Sequence, residues 1–225
     1  MSEPLFSRLI DRFRKVETSA ISDAMEPQVC AMDAEIKSVV GVVKMAGLAL
    51  TVRCYPGDEL TLAKAITLAK RGDVLVVDAR GVKQAALMGG IGFGYCWQKG
   101  AEGVVIDGAT RDVDQLKEYG FPVFARAIIP TSAVSASMGQ INIPIQCGGV
   151  NVNPSDIVVG DTDGVVVVPK AKAEEIILIA EKISSLDAES IKWIRAKVPV
   201  DEIKEKRTER RKEIKELKTK LLART

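Results

Sequence analysis

Val74-Leu75-Val76-Val77, Val104-Val105-Ile106 and Val165-Val166-Val167-Val168 are short runs without a polar residue, each closed by Asp or Pro. A strand that is apolar at every position has both faces buried, as in a central sheet. Aromatics make up only 4% of the chain, so the core is aliphatic. Together these features predict an α/β fold with one substantial core in 225 residues.

The middle run leads into Asp107-Gly108-Ala109-Thr110-Arg111-Asp112. Asp107-Gly108 is turn chemistry. Asp112, with Gln115 three residues on, fits the capping box of a helix reaching about Tyr119. The expected order is strand, tight turn, helix start. That order sets Arg111 and Asp112 at the carboxyl end of a strand, where open α/β sheets hold ligands. The fork of an Arg suits a carboxylate or phosphate, and an Asp suits a metal ion.

Around that unit, Leu5 to Val16 and Ala20 to Met25 read as helices. Ile36 to Val43 and Leu48 to Cys54 read as paired strands separated by Gly47, and Asp58 as the cap of a helix to Lys70. After Val77, a connecting segment (Lys83 to Met88) reaches Gly89-Gly90-Ile91-Gly92-Phe93-Gly94, and a helix over Ile91 to Lys99 ends at Gly100. Val123 to Ala125 is a strand and Thr131 to Met138 a loop. Ile141 to Val152, Ile157 to Val159 and Val165 to Val168 form hairpin-like β structure, with a turn at Asp161-Thr162-Asp163-Gly164. A last helix runs from about Ala171 to Ala196.

The stretch 201–225 holds ten Lys or Arg against six Asp or Glu, with Ile214, Leu217 and Leu221 as a narrow apolar stripe. It predicts a solvated helix packed along one edge, with an intersubunit helix as the alternative. Interleaved acids weaken its field for RNA, and the net charge of the chain is only +2, so nucleic acid is not an expected partner. The expected division is one domain over 1–200 and a charged helical tail over 201–225.

Composition excludes several chemistries. There is no His, hence no His-based triad, His-ligated zinc or His general acid–base step. Cys30, Cys54, Cys96 and Cys147 are widely spaced and read as small buried hydrophobes in a reducing compartment. The N-terminal segment is charged and amphipathic, unlike a signal peptide, so a cytoplasmic location is expected. No apolar run approaches the roughly 18 residues that would span a membrane.

The glycine-rich loop opens a helix after a central strand, so its amides can cradle an anion. Close helix–strand packing explains the glycines equally well. The Gly-x-Gly-x-Gly spacing, with no acid about 20 residues on, is not the dinucleotide fingerprint.

The segments Val74 to Asp78, Gly89 to Gly92, Gly103 to Asp112, Gly120 to Arg126, Cys147 to Val150 and Asp161 to Pro169 follow in an order and spacing that resembles the RraA-like family. The resemblance covers roughly residues 15 to 195. That family includes regulator of ribonuclease activity A and the 4-hydroxy-4-methyl-2-oxoglutarate aldolases. It implies a swivelling β/β/α sandwich, here with a helical C-terminal extension, commonly assembled as a homotrimer or a dimer of trimers with sites between subunits. It also implies a divalent metal, Mg²⁺ or Mn²⁺, on Asp112, with Arg111 on the carboxylate of a 2-oxo acid. The amides of Gly89, Gly90, Ile91 and Gly92 complete the anion site. In the aldolases the metal polarises the 2-oxo group and stabilises an enolate, so a carbon–carbon bond breaks without a Schiff-base Lys. The same site can decarboxylate oxaloacetate.

Two positions depart from the aldolase pattern. Aldolase members carry an acid where this chain has Gly90, and Asp or Glu where it has Gln115, which takes up no proton at neutral pH. Family members also use an acid from a neighbouring subunit's late helix, a role open to Asp187 or Glu189. The expected activity is that of a metal-dependent lyase, aldolase or decarboxylase, with Arg111 and Asp112 as catalytic residues and a small carboxylate or phosphate-bearing substrate. The alternative is a non-catalytic regulator that binds a ribonuclease or another protein. A methyltransferase label, often attached to such sequences, has little support, because no early strand–glycine loop–helix unit suits S-adenosylmethionine.

Overall fold

The computed structural model describes residues 3–25 and 30–222, so residues 1–2, residues 26–29 and the last three of the charged stretch lie outside it. In chain order the helices are α1 (Glu3–Phe13), α2 (Thr18–Met25), α3 (Leu60–Leu68), α4 (Gly90–Gln98), α5 (Val113–Tyr119), α6 (Ala173–Arg195) and α7 (Val200–Leu222). The strands are β1 (Lys37–Ser38), β2 (Met45–Arg53), β3 (Asp73–Ala86), β4 (Gly103–Thr110), β5 (Val123–Ile128), β6 (Gln140–Ile141), β7 (Ile145–Cys147), β8 (Val150–Val152), β9 (Ile157–Asp161) and β10 (Gly164–Val168).

The main sheet has the order β1-β5-β4-β3-β2-β9-β10, with β6 added on β2. Strands β2 to β5 are parallel, and the β9–β10 hairpin and β1 are antiparallel. Side chains alternate along each strand. Leu75, Val77, Val104 and Ile106 therefore pack under α3, α4 and α5 with Leu62, Phe93 and Leu116. Val74, Val76 and Val105 face the other way, onto Ile145, Cys147, Val150 and Val152 of the small β7–β8 sheet. This is the β/β/α layering that the resemblance implies. β10 lies at the end of the sheet, yet its valines are buried on both sides. Val166 and Val168 meet α1, α2 and α6, whereas Val165 and Val167 join the β7–β8 layer.

The helical layer over β9 and β10 joins distant parts of the chain. Phe13, Ile21, Ile176 and Ile177 form its core. Arg12 donates two hydrogen bonds of 2.7 Å to Glu181 across 169 residues. The charged tail is helical, and α7 sets Ile214, Leu217 and Leu221 against this same cluster. No helix among the described residues is long and apolar enough to cross a membrane.

Three local expectations are corrected. Ile36 to Val43 and Leu48 to Cys54 do not pair. β1 keeps only two residues and pairs with β5, because both sides of β2 are taken by β3 and β9. Gly47 lies within β2, where a side chain would meet the Gly72 carbonyl. Asp107-Gly108 is not a turn but part of β4. There β3 bulges at Arg80 and Gly81 (φ 55° and 71°), and a β-carbon on Gly108 would come 2.9 Å from that of Ala79. The supposed connecting segment from Lys83 is largely the far end of β3.

Candidate functional site

The carboxyl end of β4 is pinned to the entry of α4. Thr110 Oγ1 and the Arg111 N–H both donate to the Met88 carbonyl, at 3.0 and 3.2 Å. Asp112 then takes a left-handed backbone (φ 61°, ψ 39°), which non-glycine residues adopt at a cost. It stands at the N-cap of α5, but its side chain makes no capping bond. The left-handed turn carries the carboxylate away from α5, and Oδ2 accepts the Gly90 N–H of α4 at 3.1 Å. The expected capping box is therefore replaced by a bond between two helix starts.

The glycines permit this approach. A β-carbon on Gly89 would overlap Asp112 Oδ2, and one on Gly90 would overlap the Gln115 amide. One on Gly92 would sit 2.7 Å from Met88 Cγ. Close packing thus accounts for all three. The two departures from the aldolase pattern are a single contact, since Gln115 occupies the space that a side chain at position 90 would enter.

Arg111 Nε stands 3.7 Å from Asp112 Oδ2, and the two side chains are 36% and 41% exposed. Both border a cleft of about 390 Å³ walled by Leu62, Ile66, Met88 and Tyr95, which Gly89, Ile91 and Gly92 also line. Gly90 does not line it. Glu59, at the N-cap of α3, is the other carboxylate of the wall. Sequence reasoning missed Glu59, which lies next to Asp58 and has no motif of its own. Asp58 instead accepts the N–H groups of Leu60, Ala136 and Ser137, tying the 131–138 loop to α3.

Among the described residues, no three His, Cys, Asp or Glu side chains converge as a metal cage. Asp112 Oδ1 accepts no hydrogen bond from them, so one oxygen of one carboxylate is available to a cation. A single carboxylate oxygen suits only a cation that keeps most of its own water. Asp187 and Glu189 are already engaged by α7, Asp187 with Arg207 at 2.9 Å and Glu189 with Arg210 at 3.3 Å.

A second charged row crosses the sheet. Arg53, Asp78 and Asp107 are in register on β2, β3 and β4, with Arg126 on β5. Arg126 Nε donates to Asp107 Oδ1, and the Gly148 N–H donates to Oδ2 at 2.7 Å. Asp33 and Glu35 also pair with Arg126, at 3.2 and 3.1 Å, and Arg53 donates to the Pro144 carbonyl, so the row holds the β7–β8 layer to the main sheet. All four Cys are buried, and burial pushes the Cys54 and Cys96 thiols up to about 12, so neither offers a thiolate.

The class so defined is a mixed α/β sandwich with an Arg–Asp cleft at the carboxyl ends of its parallel strands. The family model described as Aldolase/RraA matches residues 18–167. A Halalkalibacterium halodurans protein named "Putative 4-hydroxy-4-methyl-2-oxoglutarate aldolase" is 38% identical over 77% of this chain and 82% of its own length. The 4-hydroxy-4-methyl-2-oxoglutarate aldolase of Thermus thermophilus is 31% identical over 69% of this chain and 94% of its own. The solved structure of the RNA-processing inhibitor RraA from Thermus thermophilis is 32% identical, with a TM-score of 0.63, over 69% of this chain and 93% of that one. The chain belongs to the RraA-like family.

Proposed function

We propose that the protein is a lyase that acts on a 2-oxo acid with the help of a divalent cation. The observation that carries this reading is the common cleft of Arg111, Asp112 and the first turn of α4. The names of the aldolase relatives support the reaction class. In this reading the planar fork of Arg111 binds the substrate carboxylate. The N–H groups of Ile91 and Gly92, in the first turn of α4, have no acceptor within the helix and favour negative charge beside it. Asp112 Oδ1 would hold the divalent cation, Mg²⁺ or Mn²⁺. When bound, such an ion supplies an electrophile for the 2-oxo oxygen. Leu62, Ile66 and Met88 limit water around the bond that breaks.

Gly90 and Gln115 separate two reactions of this class. Retro-aldol cleavage needs a base for the hydroxyl proton of the substrate, whereas β-decarboxylation removes no such proton. With positions 90 and 115 neutral, the cleft carboxylate left for that proton is Glu59. Decarboxylation of oxaloacetate is thus the activity that depends least on the replaced acids. Ile91, 71% exposed, and Tyr95, 56% exposed, stand at the cleft and support a homotrimer in which a neighbouring subunit closes the site.

Pyruvate release from oxaloacetate and from 4-hydroxy-4-methyl-2-oxoglutarate, with Mg²⁺ or with EDTA, tests the reading. Mg²⁺-dependent release is expected, lost in Asp112→Ala. Loss of the charged hydrogen bonds in Arg111→Ala raises KM at least about tenfold. Glu59→Gln lowers aldol cleavage and spares decarboxylation. Full activity of Asp112→Ala removes the metal assignment, and no pyruvate from either substrate removes the lyase reading. The RNA-processing inhibitor among the structural relatives supports a second reading, a protein-binding regulator. Equal inhibition of a ribonuclease by the native chain and by Asp112→Ala selects it.

A further inference from the structure

Helix phase sorts part of the charge of α7 into two ridges, although Lys206 and Lys220 lie on the acidic side and Lys206 pairs with Glu202 at 2.6 Å. Glu202, Glu205, Glu209, Glu213 and Glu216 succeed one another at steps of three or four residues. Lys204, Arg207, Arg211, Lys215 and Lys218 repeat the same steps two positions later. At about 3.6 residues per turn, each set forms a ridge along one side of the helix. On the inner side, the apolar stripe of Ile214, Leu217 and Leu221 separates the two ridges and is spent on the core.

The basic ridge borders a cleft of about 470 Å³ where α7 meets α6 and α2. Arg207, Arg211, Lys215 and Lys218 line it, against Asp23 and Asp187. Asp187 is paired with Arg207, and Lys218 donates to the Asp23 carbonyl at 2.8 Å. Arg211 and Lys215 are exposed and form no ion pair among the described residues. The outward face beside them carries Thr208, Lys212 and Thr219, so it offers no apolar seam to the helix of a second copy.

We propose that this ridge binds the phosphodiester backbone of single-stranded nucleic acid. From Lys204 to Lys218 the cations follow one line for about 21 Å, at the helical rise of about 1.5 Å per residue, which matches a linear polyanion. No aromatic side chain lies on the ridge to stack a base, so the contact reads phosphates and not sequence, and RNA and DNA are bound alike. The surface lies outside the segment that the family model matches and is independent of the Arg111 cleft.

Anisotropy of a labelled oligouridylate of about 20 nucleotides with the full chain, beginning near 50 mM salt, tests the proposal. Four single-strand phosphate contacts give a slope of log affinity against log salt of about −2.8. Arg211→Gln with Lys215→Gln, which keeps helix propensity, is expected to weaken binding at least about tenfold and to cut the slope by about 1.4. Lys206→Gln with Lys220→Gln removes the same charge from the acidic side and leaves affinity within about twofold if position governs binding. Circular dichroism establishes that α7 stays helical in both variants. Absence of salt-dependent binding, or equal weakening by the two pairs, overturns the proposal. So does competition by polyglutamate as effective as that by oligouridylate, which would assign the ridge to an acidic protein.

Discussion

The side chain of Gln115 fills the space that a β-carbon on Gly90 would enter, with its Cδ 2.9 Å from that position. Gly90→Ala therefore displaces Gln115, and Gln115→Ala makes room for it. A double-mutant cycle by denaturant unfolding is expected to give a coupling of about 1 kcal/mol, with the pair less destabilised than the sum of its members. Additive effects would place the two residues out of contact.

Asp112 combines a left-handed backbone with the carboxylate that holds Gly90. Asp112→Ala and Asp112→Gly both lose that carboxylate, but glycine adopts the same backbone without strain. The Gly variant is expected to be about 1 kcal/mol more stable than the Ala variant. Thermal unfolding of the two in parallel checks it, and equal stabilities would mean that the strain is released elsewhere.

Arg126 and Asp107 are 11% and 10% exposed and bonded to each other. Arg126→Met leaves the Asp107 carboxylate buried with the Gly148 N–H alone. A loss of about 3 kcal/mol is expected in urea unfolding. Adding Asp107→Leu should restore part of it, because the stranded charge is gone. A neutral Arg126→Met would show that water reaches Asp107 freely.

The buried thiols set an alkaline limit. Burial raises Cys54 and Cys96 from an ordinary 9.0 to about 12. The folded state then holds these protons more tightly than the unfolded state. Their contribution is complete below the ordinary value and declines as pH rises from there towards 12. Cys54→Ala/Cys96→Ala should flatten the alkaline arm of a stability–pH curve. In the native chain at pH 8, both thiols should resist a disulfide reagent until the protein unfolds. Rapid labelling under native conditions would contradict their burial.

Local patterns carried much of this architecture. Val74 to Val77 and Val104 to Ile106 show no polar residue because helices cover one face and β7–β8 the other, and that double burial is written directly in composition. The Arg111-Asp112 pair was legible as a strand end followed by a helix start. What escaped depended on pairs distant in sequence. Gly108 looks like a turn because its need arises from Ala79 on the neighbouring strand. Asp112 looks like an ordinary cap because Gly90, its actual partner, lies 22 residues away. Arg126 appeared only as the end of a motif, although it neutralises Asp107 inside the sheet. The basic line from Lys204 to Lys218 showed only once the helix phase was known, although Lys206 and Lys220 stay among the acids.

The pairing of Arg12 with Glu181 has a consequence for biosynthesis. At ribosomal speeds of about 5–20 residues per second, α1 and α2 emerge roughly ten to thirty seconds before α6. During that interval Phe13 and Ile21 lack the partners Ile176 and Ile177 that α6 later provides, and Val166 and Val168 are themselves late. The nascent chain thus carries an unsheltered amphipathic segment for most of its synthesis. The aliphatic sheet of β2 to β5 can close before that segment finds its seat. The N-terminal helices consequently stay open to chaperones and proteases until α6 is made, and α7 covers the same cluster last.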